Sequence, residues 1–406
     1  MRLVFGAGEP GSLWRSVAAT VSTVIVTLPL SSVWSELAPQ TCCQRCWIGA
    51  AALNKRAGRI GKRHMGRTGQ GAHSAGMIAL SSHSALPARA MPLALVTGGC
   101  GFIGSHLVAA LLARGDRVRV LDDLSTGRRE NLAPGAELSE GDVADPAAVR
   151  AAMAGAAVCF HLAAIASVER GMTEWLTTHR ANLSGTIAVF DAARAAGRIP
   201  VVYASSAAVY GEQERLPIAE DAPTLPLSAY GADKLGCELH ARVAGHVHGV
   251  PTMGLRFFNV FGARQDPGSP YSGVISIFCD RMSRGEGVTI HGDGGQTRDF
   301  IHVSDVVRGL VAAAGAANVS APVVNLCTGR ATSVADLAAT IAALCDPEGR
   351  LPPPRHGPPR AGEIRHSVGS AARAAALLGV TPSVGLKDGL ADVLGWIAAG
   401  RPGLAA

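Results

Sequence analysis

The sequence predicts an α/β fold, a doubly wound parallel sheet followed by a smaller C-terminal α+β domain, and three observations carry that expectation. An apolar run, Leu93-Ala94-Leu95-Val96, leads into Thr97-Gly98-Gly99-Cys100-Gly101-Phe102-Ile103-Gly104-Ser105 and then into a helical stripe. A second apolar run ends on Asp122. Counting these two, five strand-like segments are reached by residue 204, before a long helical segment begins. A glycine loop between strand and helix, with an acid at the end of the next strand, belongs to a sheet that binds a dinucleotide at its strand ends.

Gly98 permits the tight turn out of the first strand, Gly101 lets the backbone approach a pyrophosphate, and Gly104 lets helix and strand pack closely. Phe102 and Ile103 stand between them, ahead of a helix expected to begin near Ser105, whose N-terminus faces the anion. Leu107, Val108, Leu111 and Leu112 give that helix its apolar stripe, and Gly115 ends it. The second strand, Arg117-Val118-Arg119-Val120-Leu121, ends in Asp122, about 20 residues past the loop, where a carboxylate accepts both hydroxyls of an adenosine ribose and repels a 2'-phosphate. NAD is therefore expected in preference to NADP. A plain strand-end turn former is the competing reading of Asp122, and Asp123 is expected to be a solvated loop residue. The third strand runs out at Leu138-Ser139-Glu140-Gly141-Asp142-Val143. The fourth, Val158-Cys159-Phe160-His161-Leu162-Ala163-Ala164, ends in small residues, and the fifth is Pro200-Val201-Val202-Tyr203-Ala204. The arrangement is of Rossmann type.

Residues 1–90 are a different object. They hold ten Lys/Arg against two Asp/Glu while the rest carries −2, so the overall charge of +6 comes from this extension. It gives no support to nucleic-acid binding by the globular part. Residues 17–30 form an apolar run too short to span a membrane comfortably, without a clear small-residue cleavage site before Trp34 and Glu36. Residues 55–90 lack periodicity and read as disorder. The expectation is a disordered or non-native extension with the native start at Met91, an organelle or export signal being the alternative. Among nine cysteines, Cys42, Cys43 and Cys46 include a Cys-x-x-Cys spacing without a second pair, so no metal site is expected. The other six lie singly in apolar segments, as reduced core residues of a cytoplasmic protein do.

Candidate chemistry begins where the fifth strand ends in Ser205-Ser206-Ala207-Ala208-Val209-Tyr210-Gly211. A serine there points into the ligand crevice of such a sheet. Tyr230-Gly231-Ala232-Asp233-Lys234 opens a helical segment running to about Val247, and the i, i+4 spacing puts Tyr230 and Lys234 on one face. A free phenol is a poor base at neutral pH; an ammonium and a positive nicotinamide nearby both favour the phenolate.

With these residues in this order, the chain resembles the extended short-chain dehydrogenase/reductase family, and within it the UDP-glucose 4-epimerase-like group, over residues 91–406. The resemblance implies that Ser206 is the catalytic serine, Tyr230 the acid/base, and Lys234 both the activator of Tyr230 and a contact of the nicotinamide ribose. It implies an adenine contact at Asp142 and Val143, a cofactor laid over Leu162, Ala163 and Ala164, and a cofactor contact at Asn182. It divides the chain into an NAD-binding domain, 91–260, to which 296–328 returns, and a mainly nucleotide-sugar domain, 261–406. Where Ala208 stands some epimerases carry a threonine, so one accessory hydroxyl is missing.

For the substrate, the resemblance implies Asn259, in Leu255-Arg256-Phe257-Phe258-Asn259-Val260-Phe261-Gly262, as a nucleotide-sugar contact. Tyr271-Ser272-Gly273-Val274-Ile275 and Thr289-Ile290-His291 match positions around the sugar and uracil, with Val274 and His291 as contacts. Arg298 and Arg360 are the two arginines a diphosphate needs, because guanidinium groups make paired hydrogen bonds to phosphate oxygens. Asp299 and Glu363 are candidate partners holding them, and the run 351–359 reads as an extended loop carrying Arg360. Seven residues past Arg360, Ser367 is expected to flank the hexose pocket, where a small residue admits an N-acetyl group.

The implied reaction is redox-neutral: a UDP-sugar is oxidised at C4 through NAD, turned over as a 4-keto sugar, and reduced on the opposite face. Dehydratases and decarboxylases of the family need an extra carboxylate beside the catalytic hydroxyl, and here Ala207 and Ala208 occupy those places. Dehydration or decarboxylation is the alternative. A non-catalytic NAD-sensing protein is a further one. No nucleic-acid or membrane partner is expected, and a homodimer through two helices is the family's usual state.

Overall fold

The computed structural model describes residues 91–268, 273–360 and 362–403; the extension 1–90, with Cys42, Cys43 and Cys46, and the residues Tyr271 and Ser272 lie outside the described residues. Leu93–Thr97 (β1) runs into Phe102–Ala113 (α1), then Arg117–Asp122 (β2) and Glu137–Glu140 (β3). Pro146–Met153 (α2) leads to Val158–His161 (β4). Val168–Thr173 (α3), Trp175–His179 (α4) and a π-helical turn, Arg180–Ser184, precede Gly185–Ala195 (α5), Val201–Ser206 (β5), Ala229–His248 (α6) and Thr252–Phe257 (β6). A lobe is then built from Asn259–Phe261 (β7), Val274–Ser283 (α7), Thr289–His291 (β8), Thr297–Arg298 (β9) and Phe300–His302 (β10). Val303–Ala316 (α8) and Val323–Leu326 (β11) rejoin the main sheet. Thr332–Ser333 (β12), Val334–Cys345 (α9), Arg355–Gly357 (β13), His366–Ser367 (β14), Ala372–Leu378 (α10) and Leu386–Ala398 (α11) follow.

Among the described residues, seven strands form one parallel sheet in the order β3-β2-β1-β4-β5-β6-β11. The chain leaves β1 in one direction and returns through β4 on its other side, so a crevice opens beyond the carboxyl ends of β1 and β4. A parallel sheet is covered on both faces, which is why β1 and β6 are apolar and buried throughout. Leu107 and Leu111 of α1 pack with Val306 and Leu310 of α8 against one face. Val149 and Met153 of α2, Val189 and Phe190 of α5, and Cys237 and Ala241 of α6 cover the other. The lobe has its own core, in which Phe261, Phe278, Ile290, Phe300, Leu337 and Leu390 meet.

Three local expectations shift. Helix α1 begins at Phe102 rather than near Ser105, because Gly101 is extended and the last turn of the glycine loop is already helical. Strand β4 stops at His161, three residues early: Leu162 N still donates to Thr97 O at 3.1 Å, but Ala163 N turns to Thr97 Oγ1 at 3.2 Å. The proline-rich run is not loop throughout: Arg355–Gly357 pairs in parallel with β8. Cys100, Cys159, Cys237, Cys279 and Cys327 are buried and Cys345 half-buried, all as free thiols. No described helix is long and apolar enough to cross a membrane.

Candidate active site and cofactor cleft

A cleft of about 900 Å³ lies at the strand ends, lined by Gly98, Gly101, Phe102, Ile103, Gly104, Asp122, Asp142, Val143, Leu162, Ala163 and Ala164. Gly98 adopts φ +72°, and a Cβ on it would meet Ala163 N at 2.7 Å. A Cβ on Gly104 would collide with the carbonyl of Gly98, so this glycine lets α1 close onto the loop itself. The first turn of α1 carries no acidic residue and no side-chain cap, leaving its N–H groups to an anion. These features fit a dinucleotide.

Asp122 is buried at the rim, its carboxylate accepting from Cys100 N at 2.9 Å and Leu124 N at 2.9 Å. Burial pushes its carboxyl up from the usual range, and the two N–H groups oppose that. Asp142 is bridged to Arg180 at 3.0 Å, both lining the cleft. Asn182 does not line the cleft. It sits buried in the π-helical turn, accepting from Ile165 N at 2.8 Å and donating to Ile165 O at 3.2 Å, so it braces the wall. Sequence spacing could not reveal this, because the π-turn displaces the side chain from α-helical register.

A buried polar chain holds the same wall. Thr186 Oγ1 donates to Asn182 O at 2.6 Å, so it accepts from His161 Nε2 at 2.9 Å, and Nδ1 of His161 is left to accept from Thr97 Oγ1 at 2.7 Å. Burial, with the charge of Lys234, pushes the imidazole down to about 3, and it is neutral near pH 7.

The catalytic candidates stand beside the cleft rather than in its lining. Ser206 ends β5, its Oγ accepting from Ala208 N at 3.2 Å. Ser228 caps α6 through Gly231 N, fixing the turn that bears Tyr230. Lys234 is buried, donates to Ala204 O at 2.9 Å, and holds Nζ 5.8 Å from the Tyr230 ring centroid. One turn on, Glu238 accepts from Ser205 Oγ at 2.5 Å and from Arg256 at 2.8 and 2.6 Å. Arg256 also donates to Tyr210 OH at 2.8 Å. This buried network ties the end of β5 to α6 and β6. Removing one member of the Arg256–Glu238 pair would leave an uncompensated charge, costing about 3–5 kcal/mol.

The lobe supplies the other candidates. Asn259 is exposed at the start of β7, Val274 opens α7, and His291 ends β8 with Nδ1 3.2 Å from Pro358 O. Arg298 is half-buried, and burial lowers its guanidinium from the usual value; Glu363 accepts from it at 2.9 Å. Asp299 is not an arginine partner. It is buried and accepts from Thr328 N, Thr328 Oγ1, Gly329 N and Gly369 N, organising that turn. Arg360 is exposed and Ser367 half-buried on β14. Sequence reasoning missed the far wall of the cleft: Arg264, Gln265, Asp266 and Pro267 after β7, with Trp396, Arg401 and Gly403 from the C-terminal end. Nothing in the local pattern of these residues signals that they meet.

A parallel sheet with a glycine-loop cleft at its switch point and a tyrosine and lysine at the strand ends defines a dinucleotide-dependent enzyme of the short-chain dehydrogenase/reductase type. The model of the NAD dependent epimerase/dehydratase family matches residues 94–327, and the chain belongs to that family. It is 38% identical over 307 residues to a UDP-glucose 4-epimerase of Mycolicibacterium smegmatis, covering 74% of this chain and 96% of that protein. A UDP-glucose 4-epimerase of Thermotoga maritima, solved with UDP-glucose, superposes with a TM-score of 0.72 at 34% identity over 76% of this chain and 99% of that one. A UDP-N-acetylglucosamine 4-epimerase of Methanobrevibacter ruminantium, in complex with UDP-N-acetylmuramic acid, gives 0.72 at 32% identity over 76% and 99%.

Proposed function

We propose that the chain is a UDP-sugar 4-epimerase that interconverts the UDP-glucose and UDP-galactose pair and accepts their N-acetylhexosamine counterparts. The observation that carries this reading is the Tyr230 ring beside an ammonium anchored on Ala204 O at the end of the strand that bears Ser206. In it, Tyr230 takes the proton from the sugar O4, with Ser206 sharing the hydrogen bond and Lys234 favouring the phenolate. NAD, held by the Gly98–Gly104 loop and Asp122, would supply a hydride acceptor and donor for C4. Arg298 and Arg360 hold the diphosphate while the 4-keto sugar turns over, and Tyr230 hands the proton back to O4. Ala207 and Ala208 offer no carboxylate for a C5 proton, which favours epimerisation over dehydration.

The test is to incubate the protein with UDP-glucose, UDP-N-acetylglucosamine and UDP-glucuronate separately and resolve the products by chromatography. The 4-epimers of the first two are expected. A 4-keto-6-deoxy product, loss of carbon dioxide, or no turnover would sink the reading, the last in favour of an NAD sensor.

Leu239, Val243 and Val247 are exposed at i, i+4 and i+8 on α6, and Ile187 on the neighbouring α5 adds to the same kind of surface. A second copy packing its own α5 and α6 there makes a homodimer. Leu239→Glu together with Val243→Glu should yield monomers by light scattering; an unchanged mass would argue against it. The six free thiols support a reducing compartment such as the cytoplasm.

A further inference from the structure

Five described arginines line the cofactor cleft, and four of them are committed to carboxylates. Arg128 bridges Asp266 at 2.5 Å, Arg170 bridges Glu174 at 2.9 Å, Arg180 bridges Asp142 at 3.0 Å, and Arg401 pairs with Asp280. Arg264 is the exception. Its guanidinium makes no hydrogen bond or ion pair among the described residues, and Nε is buried without a partner. Asp392, the carboxylate whose charge reaches it, lies 3.4 Å from His302 Nε2. A desolvated guanidinium without a counter-ion is unfavourable, and folding retains one only when something else repays it.

The backbone is set for the same purpose. Arg264 adopts φ +66°, a left-handed conformation uncommon for a residue that carries a side chain. The constraint is visible: His106 of α1 donates from Nε2 to Ala263 O at 2.9 Å, fastening the loop to the helix that the glycine loop opens. Burial and the charge of Arg264 push His106 down to about 4, so this tether is neutral near pH 7.

We propose that Arg264 is the cationic contact of the cofactor's diphosphate, reaching it from the loop after β7 while the first turn of α1 offers N–H groups from the sheet side. The diphosphate is the anion this guanidinium lacks. Four neighbouring arginines, already neutralised, do not compete for it. The inference concerns cofactor binding alone and stands whichever sugar the enzyme turns over.

The experiment uses the full chain stripped of nucleotide, with Arg264→Ala, Arg264→Gln and Arg264→Lys, and titrates each with NAD, ADP-ribose and adenosine by calorimetry. Arg264→Ala and Arg264→Gln should weaken NAD and ADP-ribose by about 10- to 100-fold, leave adenosine unchanged, and be partly rescued in Arg264→Lys. Melting of the stripped variants should occur at or above the parent temperature, because an uncompensated charge has been removed. Unchanged affinity for ADP-ribose, an equal loss for adenosine, or a lower melting temperature of stripped Arg264→Gln would each overturn the proposal.

Discussion

Ser367 stands opposite Arg298: β14 runs parallel to β9, and the two residues are register partners. Glu363, four residues before Ser367, accepts from that same arginine. On the proposed reading, in which Arg298 holds the diphosphate, position 367 is the strand neighbour of that anchor. Ser367→Tyr should depress turnover of the N-acetylated pair far more than that of UDP-glucose and UDP-galactose, by steric exclusion with the chemistry intact. Initial rates on the two pairs decide it. An equal loss on both, or a parent protein without acetylated activity, would show that this position does not shape the pocket.

Tyr230→Phe and Lys234→Ala should each lower kcat by about 10²- to 10⁴-fold, since they remove the base and the ammonium that supports it. NAD binding to Tyr230→Phe should persist. Undiminished epimerisation in that variant would remove Tyr230 from the mechanism.

Asp122→Gly should weaken NAD and relax discrimination against NADP, because the carboxylate that faces a 2'-phosphate is gone. The structure adds a second effect. Cys100 N and Leu124 N lose their acceptor, so the rim of the cleft loosens and the loss for NAD should exceed that for a ribose contact alone. Affinities for both cofactors measured by titration check this; an unchanged ratio would count against the assignment.

His161 links acidity to stability. Its folded value of about 3 lies below the ordinary 6.5, so between those values the unfolded chain takes up a proton that the folded chain refuses. Stability from this site is whole above about pH 7 and falls as pH drops through 6.5 toward 3, with a slope of about 1.4 kcal/mol per pH unit. His106, pushed down to about 4, acts in the same direction. In His161→Gln, denaturant titrations from pH 6 to 4.5 should show a slope shallower by about that amount. A slope equal to the parent's would mean that His161 titrates normally in the fold.

Much of the sheet was legible because its signals are local. Gly98, Gly104 and the acid at the end of β2 are demanded by backbone geometry within thirty residues or so of chain, and a parallel strand buried on both faces reads as an apolar run. Tyr230 and Lys234 were legible because one helical turn joins them. The end of β4 was not, since Thr97, distant in sequence, supplies the hydroxyl that takes the N–H of Ala163.

The sequence by itself determined the glycine loop, the strand-end acid and the tyrosine–lysine pair, each a matter of nearest neighbours along the chain. Only the tertiary structure decided that Asn182 braces Ile165 rather than facing the cleft, that Asp299 organises Thr328 and Gly369 while Glu363 holds Arg298, and that Arg264 arrives at the cleft without a counter-ion. The reason is physical: hydrogen bonds and ion pairs between groups far apart in sequence depend on where burial leaves a polar atom without water, and that is fixed only when the whole chain has packed.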